Sequence, residues 1–188
     1  MKQTAQKLYA YLFELAEEKK MNLYAIIDSA VDGMIDGHFE SDEPHKEILY
    51  SDPKDQIALE LKAPHLVRLE PNHPFTLRIF EEGIGQYWGC FVLSKEPFDV
   101  VATHLKHYTK VYSQEHQQDV YVRFYDPRAI GKYFPLLDQE EAAEFFSKIV
   151  CIISEIPEDE KHIHIYTLDH QSGKIQRVEK RLQEEVLS

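Results

Sequence analysis

The sequence predicts an α+β fold, a mixed β-sheet with flanking helices in a single compact domain that contains hairpins. Three observations lead there. Short apolar runs alternate along the chain with segments of helical period. Polar turn clusters at 114–118 and 171–173 join consecutive strand-like runs as hairpins, which a regular strand–helix alternation would lack. The 188 residues are 43% hydrophobic and 12% aromatic, which suits one core and is too apolar for a disordered chain.

The elements follow in order. Residues 2–20 read as an amphipathic helix with Leu8, Leu12, Leu15 and Ala16 on one stripe. "LYAIID" (23–28) is a strand apolar enough to be buried on both faces. The stretch "SAVDGMIDGHFESDEPH" is rich in Asp, Gly and Ser and predicts a loop containing one helical turn. "APHLVRLE" (63–70) is a strand, and "PFTLRIFEE" (74–82) a helix opened by Pro74 and closed by Gly83. "QYWGCFVLS" (86–94) returns as a strand, with a tight turn expected at Gly85 and close backbone packing at Gly89 beside Trp88. Residues 97–108 form a helix whose stripe is Val101, Leu105 and Tyr108, and residues 110–126 form two strands around a polar turn. Two short helices follow, the second opened by Asp138-x-x-Glu141, the pattern of a capping box. "VCIIS" (150–154), "HIHIYTLD" and "KIQRVEK" complete the strands before a polar tail.

Within "VYVRFYDPRAI" (120–130), strand alternation places Val120, Val122 and Phe124 on one face and Tyr121, Arg123 and Tyr125 on the other. Asp126 then stands where a helix N-cap belongs and Pro127 at the first helical position, where its missing N–H costs nothing. The junction is explained without chemistry, with Arg128 in solvent. The rival expectation is an active site built from Asp126 and the arginines on either side.

Composition narrows the function. A formal charge of −12, from 33 acids and 21 bases, argues against nucleic acid and anionic membranes as partners. No apolar run is long enough to cross a bilayer, and the first twenty residues carry acids where a secretion signal has an apolar core, so a cytoplasmic protein is expected. Cys90 and Cys151 lie in apolar runs and are expected as buried thiols. Gly83, Gly85 and Gly89 close a helix and open a strand, the reverse of a phosphate-binding loop. Ten histidines include the pairs His104/His107 and His162/His164, but neither has a partner at a metal-ligand spacing, so no metal or cofactor is predicted. No nucleophile or nucleotide motif occurs, although Asp28, Glu81 or Glu82 could converge in space as a carboxylate pair.

Taken in series, "LYAIID", "APHLV", "GQYWGCFV" and "RFYDPR" resemble the family of bacterial type VI secretion adaptor proteins, long known only as a domain of unknown function. The resemblance spans about residues 22–154, with Ile84 at a position that more often holds a tryptophan-like residue and His65 where tyrosine is commoner. It implies a cytoplasmic, non-catalytic adaptor or chaperone that binds a secreted effector and helps load it onto the VgrG spike. The family's motif residues fall on Gly83, Gly85, Trp88, Gly89, Arg123, Asp126, Pro127 and Arg128. Of these, Gly83, Gly85, Gly89, Asp126 and Pro127 read as structural. Trp88, Arg123, Tyr125 and Arg128 are the candidate partner contacts, since aromatic and arginine side chains dominate interface energetics. The expected organisation is an N-terminal helix (1–21), an adaptor-like α+β domain (22–154) and a C-terminal hairpin and tail (155–188). An immunity-type toxin-binding protein and a small-molecule hydrolase using Asp126 and neighbouring arginines stand as alternatives.

Overall fold

The computed structural model describes residues 1–113 and 117–182. Its helices are α1 (Gln3–Lys19), α2 (Ile35–Asp42), α3 (Pro53–Ala58), α4 (Pro74–Arg78), α5 (Phe98–Lys106), α6 (Ile130–Tyr133) and α7 (Gln139–Phe145). The strands are β1 (Asn22–Asp28), β2 (Lys46–Ile48), β3 (Pro64–Arg68), β4 (Gly89–Ser94), β5 (Lys110–Ser113), β6 (Gln118–Tyr121), β7 (Cys151–Ile156), β8 (Asp159–Asp169) and β9 (Lys174–Arg181). Seven strands form one sheet in the order β2-β3-β1-β4-β7-β8-β9, and β5 and β6 form a separate ribbon. The α+β class is as predicted. Every pairing is antiparallel, however, so the sheet is not mixed.

β1 lies in the middle of the sheet, and alternation along it sends side chains into two cores. Leu23, Ala25 and Ile27 point to one face, where α1 contributes Ala5, Leu8 and Leu12 and α4 contributes Phe75. Tyr24 and Ile26 point to the other, where they join Val101 and Leu105 of α5 and Phe145 of α7. The second core is aromatic: the Phe145 ring centroid lies 4.6 Å from Tyr108 and 5.3 Å from each of Phe124, Phe134 and Phe146, mostly edge to face. Cys90 faces this core and Cys151 the first, so the two free thiols are on opposite sides of the sheet. Burial raises the pKa of both, that of Cys151 to about 11, which makes each a packing residue. The C-terminal hairpin β8–β9 extends the same sheet, and Ile163 and Leu182 enter the first core.

Four expectations are corrected. The Asp- and Gly-rich segment forms two turns of helix, α2, because Ile35 and Phe39 lie one turn apart and both are buried; Phe39 stacks on Phe75 at 4.8 Å. Tertiary burial there outweighs weak local propensity. Gly83 does not end its helix in a left-handed conformation. α4 runs on into a π-helical turn (Ile79–Gly83), and a Cβ on Gly83 would stand 2.8 Å from the Trp88 ring, so glycine is needed for that contact.

The third correction concerns 120–126. β6 stops at Tyr121, the chain turns with Asp126 N–H donating to Arg123 O at 3.1 Å, and consecutive Phe124 and Tyr125 are both buried. Arg123 and Tyr125 therefore do not share a strand face. Fourth, Asp126 does not cap α6, which starts four residues later with Ala129 in the cap position, and Pro127 sits in the intervening turn. The capping box at α7 is as predicted: Asp138 Oδ1 accepts from Glu141 N and Glu141 Oε2 from Asp138 N, both at 2.9 Å. Residues 114–116 of the predicted hairpin turn and the tail from 183 lie outside the described residues. Among the described residues no helix is long and apolar enough to cross a membrane.

Candidate functional site: an arginine–carboxylate cluster at the end of the central strand

β1 ends at Asp28, where the sheet delivers a carboxylate almost completely out of solvent. Its Oδ1 accepts from Ala30 N at 3.0 Å and its Oδ2 from Arg123 Nη1 at 3.2 Å. Burial raises the Asp28 pKa, opposed by these two donors. Next to it, Ser29 Oγ lies 3.2 Å from His65 Nδ1, which is also 2.9 Å from Ala63 O. Burial lowers the His65 pKa to about 4, so this imidazole is neutral at physiological pH and structural.

The 123–130 turn brings the second carboxylate. Asp126 Oδ1 accepts from Arg128 N and Arg128 Nε, each at 2.9 Å, while Oδ2 accepts from Arg128 Nη2 at 2.7 Å. Its carbonyl accepts from Ala129 N and Ile130 N, both at 2.9 Å, so this one residue organises the turn that leads into α6. Burial disfavours the ionised carboxyl, but the side-chain and amide donors of Arg128 outweigh it and hold the pKa below the ordinary value. Arg128 is thus ion-paired in a two-pronged geometry, and not simply solvated as its sequence position suggests.

The third component is the loop before β4. Tyr87 has φ +59 and Gly85 φ +84, a left-handed backbone that the half-buried Glu155 carboxylate of β7 secures by accepting from Gly85 N at 2.7 Å and Tyr87 N at 3.0 Å. The Tyr87 ring is then placed under the Arg128 guanidinium, 5.1 Å away. The outcome is a surface where Arg123 and Arg128, each with a side chain 49% exposed, stand beside a tyrosine ring and over carboxylates that hold them in place.

Of the sequence-predicted contacts, Arg123 and Arg128 lie on this surface, while Trp88 and Tyr125 are each only 2% exposed. Both rings are core side chains, Trp88 in the first core and Tyr125 in the second. Gly85 and Gly89 are structural, as is Asp126. The carboxylates considered as a catalytic pair do not converge: Glu82 pairs with Arg78 at 2.8 Å and Glu81 faces the N-terminus at 3.8 Å, both away from Asp28. His104 Nε2 sits 2.7 Å from Phe145 O and His107 Nδ1 3.3 Å from His104 O, so that pair serves backbone carbonyls.

Asp28, Tyr87 and Glu155 belong to the site without any local sequence mark. Glu155 acts on a loop 70 residues earlier in the chain, and Arg123 reaches back 95 residues to Asp28, separations that no motif spacing reports. Chemically, both oxygens of each carboxylate accept from arginine or backbone donors. The exposed groups are the guanidinium faces, beside one half-buried ring, an arrangement suited to binding a carboxylate or a planar group on another molecule.

Graded effects are expected at Asp126. Asp126→Ala should lower stability by about 1–2 kcal/mol through loss of the turn acceptor and of the Arg128 pair. Asp126→Asn keeps the acceptor and should recover roughly half of that, as read by urea melts. Equal losses in both variants would mean the ion pair alone matters.

Residues 23–144 match the family described as "Domain of unknown function (DUF4123)". Comparison with curated proteins and with solved structures returns no match. The matched segment runs from β1 into α7 and holds Asp28, Tyr87, Arg123, Asp126 and Arg128. A match of that extent places the chain in the DUF4123 family.

Proposed function

We propose that the protein is an adaptor that binds a type VI secretion effector and promotes its loading onto the VgrG spike, without a reaction of its own. The observation that carries this reading is the pre-set Arg128–Tyr87 pair beside Arg123, exposed at the heart of the family-matched segment. Family membership agrees with the type VI secretion resemblance of the sequence. Arginine and tyrosine anchors already fixed in geometry lose little side-chain entropy on binding, the usual basis of an interface hot spot. A binding role also fits the carboxylates better than hydrolysis does, since Asp126 is held ionised by Arg128 and both its oxygens are occupied.

The test is co-expression with the effector and spike proteins encoded beside the gene, followed by affinity measurement. Arg128→Glu should weaken the effector complex by on the order of 2 kcal/mol, about thirtyfold in Kd, because it reverses a charge and repels Asp126 as well. Arg128→Met removes the charge without repulsion, so it should weaken binding less than Arg128→Glu, and because it also strips Asp126 of its ion pair, binding is compared at a temperature where both variants are folded. Absence of any complex with neighbouring effector or spike proteins across several salt concentrations would overturn the adaptor reading. Unchanged binding by both variants would overturn the assignment of this surface.

A further inference from the structure

The terminal hairpin gathers ligand-type side chains away from the arginine cluster. In the β8–β9 ladder His164 pairs with Glu179 and His162 with Arg181, which puts His162, His164 and Glu179 on one face of the sheet. At the start of β8, the irregularity in the β7 pairing at Glu155 and Ile156 sets Asp159 opposite Ile156 and brings its carboxylate toward His162. Asp159 Oδ2 is 2.9 Å from His162 Nδ1, and Asp159 Oδ1 accepts from Lys161 N at 3.0 Å, which fixes the orientation of the carboxylate. One ligand atom each from Asp159, His162 and Glu179 lies within 4.8 Å of the other two. Four ligands at zinc bond lengths of about 2.0–2.2 Å in a tetrahedron stand roughly 3.3–3.6 Å apart. Small rotations of the exposed Glu179 side chain therefore suffice to close the set.

We propose that Asp159, His162 and Glu179 bind a divalent transition ion of the zinc type. The mixed imidazole–carboxylate set favours such an ion over calcium or magnesium, which take six or more oxygen ligands or keep most of their water. Three protein ligands leave one tetrahedral position for water. The second imidazole on this face, His164, has its Nε2 4.0 Å from Glu179 Oε2. The ion ties the start of β8 to β9, the outermost strand of the sheet among the described residues. The sequence pairs these histidines with no carboxylate in a recognised metal motif, which is why it predicts no metal. Strand pairing supplies Glu179, and Asp159 stands only three residues before His162.

The experiment is zinc titration of the full-length, untagged protein after chelator treatment and dialysis, followed by calorimetry and by melting temperature. One zinc per chain should bind, with a melting temperature that rises and then saturates with zinc. Cobalt should give the visible absorption of a tetrahedral site. His162→Ala and Glu179→Gln should each weaken zinc binding at least tenfold, while the metal-free variants melt within a degree or two of the parent. His170→Ala, which alters an exposed histidine outside the cluster, should leave affinity unchanged. The proposal fails if no saturable one-to-one binding is seen up to about 100 μM zinc, a ceiling weaker than structural zinc sites show. It also fails if either ligand variant binds as tightly as the parent, or if magnesium or calcium competes at equal concentration.

Discussion

Gly89→Ala should be the most damaging small substitution in the protein, lowering stability by about 4 kcal/mol or more. Gly89 opens β4 with φ +156, and an added Cβ would lie 1.7 Å from the carbonyl oxygen of Ile26. The obstacle is backbone of the central strand, which cannot rotate away as a side chain could. Relief requires β1 and β4 to separate where Ile27 faces Gly89 and where Asp28 N donates to Trp88 O at 2.7 Å. That movement would also shift Asp28 and the arginine cluster built on it. Gly85→Ala is the comparison: its added Cβ has open space, so only the left-handed backbone opposes it and the cost should be on the order of 1 kcal/mol. Chemical denaturation of the two variants, or their soluble yield, measures the contrast. A Gly89→Ala protein as stable as the parent would mean that the two strands do not approach as described.

The second large effect is with pH. His65 is buried with a pKa lowered to about 4, whereas in the unfolded chain it titrates at its ordinary 6.5. Between those values the unfolded state binds a proton that the folded state refuses. The contribution of His65 is therefore fully present above pH 6.5 and is lost as pH falls toward 4. The gap corresponds to on the order of 3 kcal/mol at full loss. His104 and His164, also lowered first by burial, act with the same sign. Asp28 and Glu155, raised by burial, act with the opposite sign, since their folded forms hold protons more tightly than the unfolded chain and lose that advantage as pH rises. The difference between parent and His65→Phe isolates the imidazole. The aromatic replacement keeps the contact with Phe39, 4.7 Å from the His65 ring, and has nothing to protonate. Urea midpoints from pH 7 to pH 4 should fall more steeply for the parent. Parallel curves would show that His65 is protonated in the folded protein or exposed to water.

Much of the fold could be read along the chain, because local physics repeats there. The stripe Leu8, Leu12 and Ala16 defines α1, the apolar run from Leu23 predicts the doubly buried β1, and Asp138 with Glu141 caps α7. The α2 helix escaped the same reading, since its two buried anchors Ile35 and Phe39 are outnumbered by residues of weak helix propensity. Direction of strand pairing was also out of reach: hydrophobic pattern marks which face is buried and carries little about which neighbour a strand joins.

By itself the sequence determined the α+β class, the acidic surface, the two buried thiols and the importance of the Asp126 turn and of Arg123 and Arg128 near it. Each of these depends on composition or on residues within a few positions of one another. Only the tertiary structure decided that Trp88 and Tyr125 are core, that Tyr87 is the ring beneath Arg128, that Asp28 holds Arg123, and that Glu155 fixes the loop carrying Tyr87. Those relations join β1, β4, β7 and the 123–130 turn, and pairwise contact energies between residues 70 or 95 positions apart leave no periodic trace in the chain. They arise because the antiparallel sheet brings the end of β1 beside the start of β4 and the far end of β7, where burial then dictates which polar groups must find partners.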